Sequence, residues 1–490
     1  NTVHNVSGML LYNQDQYNGN APENLISSLP QRKQGFAGRF TYAYDYRYMA
    51  ELNFGYNGSE NFAKGNRFGF FPSVAVGYNI SREKFFEKFS DVVTNLKLRA
   101  SWGLVGNDQI GGERYIYLSD IELENGDLGY TTGRDQNISK NGPKYIRYAN
   151  NDITWEVGSK WNFGLDLGLR EDLNISFDIF KEVRKDIFME RQQIPDYWGT
   201  NGKDKWMNLV TKMYGNLGKV ENKGLDFSVD YAKRFNKDFD MSFKGTFTYA
   251  HNKVLEYDEP DFRKYPNISR VGHSIDQQLL YIAERLFIDD AEVLRNPKQN
   301  LGGWVTGGDI KYKNLPDVNG NYDNIIDSND RQYTGMPTTP EIVYGFGPSF
   351  RYKKFDFSFF FQGAARVSIM MSGIHPFGAE GTRNVLKFIA DDYWSDSNQN
   401  IYAEYPRLSK RDNENNTKAS TYWQRNGAFL KLKNLELGFN HKFFRIYLRG
   451  SNLLTFSPFK YWDPEMGGGS GLSYPTQRVY NVGIQFSINK

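Results

Sequence analysis

The 490-residue chain contains no cysteine, no long apolar run and almost no net charge. Without cysteine it can form no disulfide, use no thiol nucleophile and bind no zinc through thiolates. No stretch of about 18 apolar residues occurs, so no transmembrane helix is predicted. Lys and Arg number 60 and Asp and Glu 57, a net charge of +3, which gives no electrostatic argument for nucleic acid as a partner.

Catalytic signatures are also scarce, and the chain is predicted not to be an enzyme. Its five histidines are His4, His251, His273, His375 and His441. They are scattered and show no HExxH spacing, and no GxSxG motif occurs. The chain opens directly at Asn1 without a signal-peptide pattern, which indicates either a matured chain or part of a larger protein.

Aromatic side chains and glycine are abundant, with 33 Tyr, 37 Phe and 47 Gly at a mean hydropathy of −0.65. A polar chain this rich in Tyr and Phe indicates strands and interfaces between apolar and wet surroundings. Apolar and polar residues alternate with period 2, as in FDMSFKGTFTY at 239–249, LNISFDI at 173–179 and KGLDFSVDY at 223–231. The apolar positions are unusually aromatic, and the polar positions carry charges in mid-strand, as a barrel between lipid and water requires.

The alternation predicts about 14 strands separated by connections of two kinds. The predicted strands lie near 1–14, 36–45, 46–57, 68–79, 94–104, 160–170, 173–184, 221–233, 238–250, 341–352, 354–365, 428–440, 441–452 and 478–489. Long connections fall near 105–159, 185–220, 251–340, 366–427 and 453–477. One nominally short turn, ISREKFFEKFSDVVT at 80–94, is unusually long, and a slip of the apolar phase between Leu432 and Leu435 predicts a β-bulge.

Short turns that alternate with long loops are typical of outer-membrane barrels, whereas a soluble sandwich has no reason to place every long loop on one side. Only helices and closed barrels satisfy their backbone groups in lipid. The predicted fold class is therefore all-β, a transmembrane antiparallel β-barrel with long extracellular loops and short periplasmic turns.

Several stretches resemble motifs of the SusC/RagA family of TonB-dependent transporters, in the order that the family has them. They are SWGLVGND at 101–108, ITWEVGSKWNFGLDLGL at 153–169, VENKGLDF at 220–227, GDIKYKNLPDVNG at 308–320 and IDSNDRQYTG at 326–335. Each motif alone is weak, but together they extend nearly from end to end of the chain.

The resemblance implies a 22-stranded barrel in the outer membrane of a Gram-negative bacterium, filled by an N-terminal plug. It implies a SusD-like surface lipoprotein as a lid, energy supplied through TonB, and oligosaccharides or, in some members, oligopeptides as substrates. The chain lacks the plug and the first strands of that pattern. Residues 1–490 are therefore interpreted as the C-terminal part of the barrel, with the remaining N-terminal part and outer-membrane lipid as partners.

The segment NGNYDNIIDSND at 319–330 has the oxygen spacing of a calcium loop. The predicted metal ligands are Asn319, Asn321, Asp323, the Ile325 carbonyl, Asp327 and Asp330. Asn324 replaces the usual glycine, since Asn tolerates positive φ, and Ile326 falls where such loops carry an apolar anchor. The alternative is a solvated, turn-rich loop without an ion. The only cofactor predicted is thus a structural Ca²⁺ in an outer loop.

Tryptophans in the predicted outer loops are candidate substrate contacts, because the C–H faces of sugar rings stack on aromatic rings. The candidates are Trp198, Trp206, Trp304 and Trp394, with loop packing or contact with the lid protein as the alternative for each. The resemblance to the SusC/RagA family implies an importer mainly of oligosaccharides. The alternatives are an oligopeptide importer of the same family and a non-transporting surface receptor or adhesin built on a barrel.

Overall fold

The computed structural model describes residues 3–20, 25–111, 113–193, 212–377, 384–410 and 413–486. The strands are β1 His4–Tyr17, β2 Gln31–Tyr44, β3 Tyr48–Ser59, β4 Phe68–Asn79, β5 Val93–Asn107, β6 Asp120–Thr132, β7 Ile138–Arg147, β8 Glu156–Leu169, β9 Leu173–Glu190, β10 Tyr214–Arg234, β11 Phe239–Glu256, β12 Gln277–Tyr281, β13 Ala283–Leu286, β14 Lys298–Gln299, β15 Ile310–Tyr312, β16 Ile325–Ile326, β17 Arg331–Pro337, β18 Ile342–Tyr352, β19 Phe355–Ala365, β20 Ser368–Met370, β21 Gln424–Asn426, β22 Phe429–Asn440, β23 Phe444–Phe456 and β24 Val479–Phe486. The α-helices are α1 Leu25–Ser28, α2 Asp290–Arg295, α3 Lys387–Asp391 and α4 Glu414–Thr417. Within the described ranges, none of the helices has the length and apolar character needed to cross a bilayer.

Fourteen strands form one sheet in the order β1-β2-β3-β4-β5-β8-β9-β10-β11-β18-β19-β22-β23-β24. All fourteen predicted strands are confirmed, with ends that differ from the predicted ends by up to seven residues. The alternation of short turns and long connections is confirmed as well. The residue pair nearest the turn is Tyr44 and Tyr48 in the β2–β3 hairpin, and Tyr352 and Phe355 in the β18–β19 hairpin. Each of these turns therefore has only a few residues.

The chain divides into two compact units. The first unit comprises Asn1–Arg170, Ser176–Leu225 and Asn252–Pro260, and the second comprises Glu171–Ile175, Asp226–His251 and Asp261–Lys490. Each unit carries strands of the sheet together with the long connections that join them. The connections contain structure that the sequence did not predict, such as the β6–β7 hairpin in the first unit and four small two-stranded sheets in the second.

In the first unit, the two faces of the sheet differ sharply in chemistry. Leu52, Phe70 and Val76 lie on an apolar face, and their side chains are exposed although they are large and hydrophobic. The opposite face carries ion pairs between neighbouring strands: Arg39 Nη2 lies 2.6 Å from Glu51 Oε2, and Arg99 contacts Asp166. A broad exposed apolar surface on one face is what lipid contact requires, while the charged face suits water.

The second unit repeats this division of faces. Phe355, Leu437 and Leu448 are exposed on its apolar face. On the polar face, Arg351 Nε lies 2.7 Å from Asp240 Oδ1, and Arg445 bridges the carboxylates of Asp356 and Glu436. These pairs join residues on different strands, so mid-strand charges tie neighbouring strands together through their side chains.

The predicted β-bulge in β22 is confirmed. Leu432 and Asn434 pair with the consecutive residues Phe361 and Phe360 of β19, so Lys433 is the extra residue of the bulge on that side. The register with β23 shifts at the same place. The neighbouring Lys431 has 0% of its surface exposed. Its ammonium lies 2.6 Å from Asp463 Oδ2 and 2.5 Å from Glu465 Oε2, in the connection between β23 and β24.

This ion cluster ties the connection at 457–478 to the strand. Burial opposes ionisation of Asp463 and Glu465, but the hydrogen bonds and charge of Lys431, together with further hydrogen-bond and charge contacts, outweigh that effect and lower the pKa of both carboxyl groups. Lys433 adds a second contact to Glu465, at 2.6 Å, from a more exposed position. The two lysines therefore share Glu465 as a partner but differ in burial.

Replacing Lys431 with Met is expected to release the 457–478 connection from the strand. Removing one partner of a buried ion pair costs about 3–5 kcal/mol, because the remaining charges lose their compensation. Hydrogen exchange of the backbone amides at 457–478 measures the effect, and these amides are expected to lose protection.

The matched control is Lys433→Met, because Glu465 then keeps Lys431 as its partner. Exposed pairs contribute at most about 1 kcal/mol, so protection is expected to change little. Equal protection in the two variants would show that the burial of Lys431 does not matter.

Candidate functional site

The long connections of the second unit pack around a hydrophobic core of their own. We call the described residues between 261 and 340, 366 and 427, and 457 and 478 the loop domain. Its buried core includes Leu286, Ile310, Tyr312, Ile326, Ile369, Ile389, Trp394, Trp423 and Phe459. Long connections of this kind rarely hold one shape without structure of their own, and here the core supplies it.

Short strand pairs arrange the backbone of the loop domain. Strand β12 pairs with β17, β13 with β15 and β20 with β21, all antiparallel, while β14 and β16 run parallel. These pairs join parts of the chain that are far apart in sequence. They fold the connection between β11 and β18 back on itself, and they do the same for the connection between β19 and β22.

Two adjacent asparagines in α4 hold several loops together. Asn415 Nδ2 donates to the Ile310 carbonyl at 3.0 Å, and Asn415 Oδ1 accepts from Gln299 Nε2 at 2.7 Å. Asn416 Oδ1 accepts from the Ile310 amide at 2.9 Å, and its carbonyl accepts from Trp423 Nε1 at 2.7 Å. Both amide side chains are buried, and these bonds satisfy polar groups that would otherwise be costly to bury.

Asp309 is a fully buried carboxylate at the centre of this network. Its Oδ1 lies 2.8 Å from Arg407 Nε and accepts from Asn416 Nδ2 at 2.8 Å, and its Oδ2 accepts from the Thr306 amide at 2.9 Å. Burial raises the pKa of Asp309, although Arg407 and the hydrogen bonds oppose that rise. The carboxylate thus fixes the guanidinium of Arg407 in position.

Arg407 lines a pocket of about 140 Å³ in the loop domain. The walls combine aromatic, amide and imidazole groups, among them Tyr405, Trp423, Asn416 and His375. Rings beside directional hydrogen-bonding groups suit a small polar ligand with an apolar face. The pocket has room for one ring or one side chain, so its size alone does not distinguish a sugar from a peptide.

The four predicted substrate tryptophans have different outcomes. Trp304 is 88% exposed in the loop domain. Trp394 is only 7% exposed, belongs to the hydrophobic core and packs against Gly308, so its ring has a packing role in this structure. Trp198 and Trp206 lie outside the described residues.

The predicted cation loop is folded largely through its own carboxylates. Asp323 Oδ1 accepts from the Ile325 amide at 3.0 Å, and Asp327 Oδ1 accepts from the Asn329 amide at 2.8 Å. Asp330 accepts from the amides of Leu315 and Asp327. The backbone amides of Asn319 and Asn321 each donate to Asp317 Oδ1 at 2.9 Å. Asp317 was not among the predicted ligands.

Two details of the loop follow the expected pattern of a calcium loop. Asn324 has a φ of +59°, the conformation that glycine takes at that position, and the Ile326 side chain is buried. In the part of the chain that the structure describes, no three His, Asp or Glu side chains are placed to hold a metal ion. A cation would therefore have to draw carboxylates away from their present amide partners.

The most consequential residues that sequence reasoning missed are Asp309, Arg407 and the Asn415–Asn416 pair. Nothing in their spacing predicts their association, because Asp309 and Asn416 are 107 residues apart in sequence. Two adjacent asparagines between polar residues have the composition of an ordinary turn. Only the fold of the loop domain brings these groups together.

A second charged network braces the loop domain at α2. Arg285 Nη2 lies 2.5 Å from Glu292 Oε1, Lys311 Nζ lies 3.1 Å from the same oxygen, and the Ile288 amide donates to Oε2 at 2.9 Å. Asp289 caps the helix by accepting from the Glu292 amide. Burial opposes ionisation of Glu292, but these contacts outweigh it and lower its pKa to about 2.

The chain is similar to known proteins in both sequence and fold. No family model matches the chain. TonB-dependent receptor P3 of Formosa agariphila is 28% identical over 482 residues, which cover 92% of this chain and 45% of the receptor. TonB-dependent receptor SusC of Bacteroides thetaiotaomicron is 27% identical over 497 residues, covering 97% and 46%. The chain spans about half the length of the curated relatives it matches.

Solved structures with the same fold include the RagAB peptide transporter, with a TM-score of 0.72 and 21% identity over 99% of this chain and 54% of that chain. The RagAB peptide importer in its open-open state gives a TM-score of 0.73 and 22% identity, with coverages of 100% and 53%. The predicted fold class, an antiparallel outer-membrane β-barrel, is confirmed.

The pKa of Glu292 predicts how the loop domain responds to acid. A folded-state pKa of about 2, below the ordinary value of 4.5, contributes stability above pH 4.5. That stability is expected to be lost as the pH falls from 4.5 towards 2. Hydrogen exchange at residues 283–312, corrected for the intrinsic effect of pH, measures it.

In the Glu292→Gln variant, this part of the pH dependence is expected to disappear. Glu284→Gln is the control, because Glu284 is a more exposed partner of Lys311, at 3.5 Å. If Glu292→Gln kept the wild-type pH profile of hydrogen exchange, ionisation of Glu292 would not be the cause of the pH dependence.

Proposed function

We propose that this chain, whose resemblance to the SusC/RagA family of TonB-dependent transporters these relatives confirm, imports a nutrient across the outer membrane of a Gram-negative bacterium. The named relatives are receptors of the TonB-dependent class, and the fold is that of outer-membrane importers. The proposed partners are TonB, a SusD-like surface lipoprotein, and the plug and first strands of the barrel, with residues 1–490 as the C-terminal barrel part. These relatives are named as receptors, not as enzymes.

An oligosaccharide is the proposed substrate. Trp304 and Tyr402 are both exposed on the loop domain, and they are aromatic surfaces of the kind on which sugar rings stack. The pocket beside Arg407 and Asn416 offers directional hydrogen bonds of the kind that hydroxyl groups need. The exposed Trp304 is the single observation that carries this choice, because a large aromatic ring in water is a common anchor for a ligand.

An oligopeptide is the second candidate, and one observation favours it. Both RagAB structures that share the fold are described as peptide transporters or importers. A buried carboxylate, Asp309, already neutralises Arg407, so the pocket offers a peptide little net charge to recognise its termini. This favours the glycan, and the uptake experiment separates the two substrates.

Uptake of labelled oligosaccharides and labelled oligopeptides by whole cells tests the proposal. With TonB and the surface lipoprotein present, glycan uptake is expected, and it should stop when a protonophore removes the energy source. Trp304→Ala is expected to raise the half-saturating glycan concentration about tenfold, which corresponds to about 1.4 kcal/mol of binding free energy.

Leu294→Ala is the matched control, since Leu294 is an exposed aliphatic residue in the same loop domain, and its uptake should equal that of the wild type. Peptide uptake without glycan uptake would assign the peptide as substrate. Surface binding without any uptake would instead indicate a receptor or adhesin.

We also propose that the loop at 319–330 binds a structural Ca²⁺ ion. The left-handed Asn324 and the buried Ile326 match a calcium loop. Burial raises the pKa of Asp330, and the neighbouring Asp323 and Asp327 carboxylates add to that rise against two backbone hydrogen bonds. A divalent cation would relieve this repulsion.

Calorimetric titration with Ca²⁺ tests the loop. Heat of binding is expected for the wild type and should be lost in Asp323→Ala, which removes a predicted ligand. Asp261→Ala is the control, because Asp261 is an aspartate in the same long connection that pairs with Arg263. Absence of heat in the wild type contradicts the proposal.

A further inference from the structure

The connection between β4 and β5 departs from the other short turns of the first unit. Residues 80–92, ISREKFFEKFSDV, form two short 3₁₀-helices, Ile80–Arg82 and Lys84–Phe89, where other turns need only a few residues. Three phenylalanines lie among alternating charges in this segment. A barrel that needed only a reversal of direction would not require it.

A row of aromatic rings lies on the apolar face beside this segment. The rings of His4 and Tyr44 are 5.2 Å apart, those of Tyr44 and Tyr48 are 6.4 Å apart, and those of Tyr48 and Tyr78 stack at 5.2 Å. The strand registers align these four residues across β1 to β4. Aromatic rows at the ends of barrel strands mark the level where hydrocarbon meets the polar headgroups.

Glu83 joins the segment to that aromatic row. Tyr48 Oη donates to Glu83 Oε1 at 2.7 Å, and Tyr78 Oη donates to the same oxygen at 3.1 Å. Arg47, in the neighbouring turn, donates to Glu83 Oε2 at 3.2 Å. Because both tyrosines belong to the apolar face, these bonds place residue 83 at the lipid-facing rim of the sheet.

The phenylalanines differ in exposure in a way that internal packing does not explain. Phe86 is buried, and its ring lies 5.8 Å from that of Phe89. Phe85 is 63% exposed and Phe89 58% exposed, and Val92 nearby is exposed too. Apolar rings exposed to water lose the free energy that burial would give them, so an apolar medium that covers them is favoured.

We propose that residues 80–92 form an interfacial anchor, in which Phe85 and Phe89 insert at the headgroup–acyl boundary of glycerophospholipids at the short-turn ends of the strands. The apolar face that continues into the segment is already lipid-facing, which favours lipid over a protein partner as the occupant. Exposed Arg82, Lys84 and Lys88 reach the level of phosphate groups.

The charge balance of the segment favours phospholipid of low net charge. Between residues 82 and 91, three basic residues (Arg82, Lys84, Lys88) are matched by three acidic ones (Glu83, Glu87, Asp91), so the net charge is 3 − 3 = 0. Binding would then depend on apolar insertion more than on attraction to anionic lipid. Short turns of such barrels face the periplasm, which assigns the anchor to the inner leaflet.

Site-directed spin labelling tests the anchor, and the absence of cysteine in the sequence makes each introduced thiol unique in the chain. The transporter assembled from residues 1–490 and the remaining N-terminal part of the barrel carries Phe85→Cys, Phe89→Cys, Glu87→Cys or Leu294→Cys and is reconstituted in vesicles of phosphatidylethanolamine and phosphatidylglycerol. Collision of the label with oxygen, which concentrates in lipid, is compared with collision with a water-soluble nickel chelate. Heat-modifiable electrophoretic migration verifies that each variant is folded.

Labels at 85 and 89 are expected to show an oxygen-to-nickel collision ratio at least threefold above that of the label at 294, which is an exposed position of the loop domain. The label at 87 is expected to collide mainly with the nickel chelate. A ratio at 85 and 89 equal to that at 294 would overturn the proposal. Labels shielded from both reagents in native membranes, but open to nickel in vesicles, would indicate a protein partner and also overturn it. The outcome depends on membrane placement and not on which substrate is imported.

Discussion

Backbone amides in hydrocarbon have no water to bond, and this constraint governs the architecture. The strands meet it through a hydrogen-bonded ladder of fourteen neighbours. Once the ladder satisfies the backbone, side chains are free to differ on the two faces. In each unit, one face exposes large apolar groups, and the other joins strands through pairs such as Arg99–Asp166 and Arg351–Asp240. Charges in mid-strand are thus compatible with a membrane fold, because they lie on one face only.

The loop domain obeys a different rule, since its stability comes from burial and not from a regular ladder. Its small sheets have strands of two to seven residues, which are too short to be stable alone. A hydrophobic core and buried hydrogen bonds from Asn415 and Asn416 hold them. A recognition surface gains from this, because groups such as Arg407 are held in place before a ligand arrives.

The strands were predictable from sequence because alternation is local: each residue's face depends only on its neighbours two positions away. The bulge at Lys433 was predictable for the same reason, as a slip in that alternation. The loop domain was not, because the Asp309–Asn416 bond joins residues 107 apart. Composition also misleads about single residues, since Trp304 and Trp394 look alike in sequence, yet one is exposed and the other is part of the core.

The cluster of Lys431 with Asp463 and Glu465 has a consequence for assembly. Lys431 and Asp463 are only 32 positions apart, and the cost of closing a loop grows slowly with its length. The last three strands of the sheet can therefore pair as a local unit before strands that are distant in sequence join it. This unit consists of β22, β23 and β24 and is stabilised by the ion cluster. Such a unit would give the growing sheet an ordered edge on which the remaining strands add by pairing one after another.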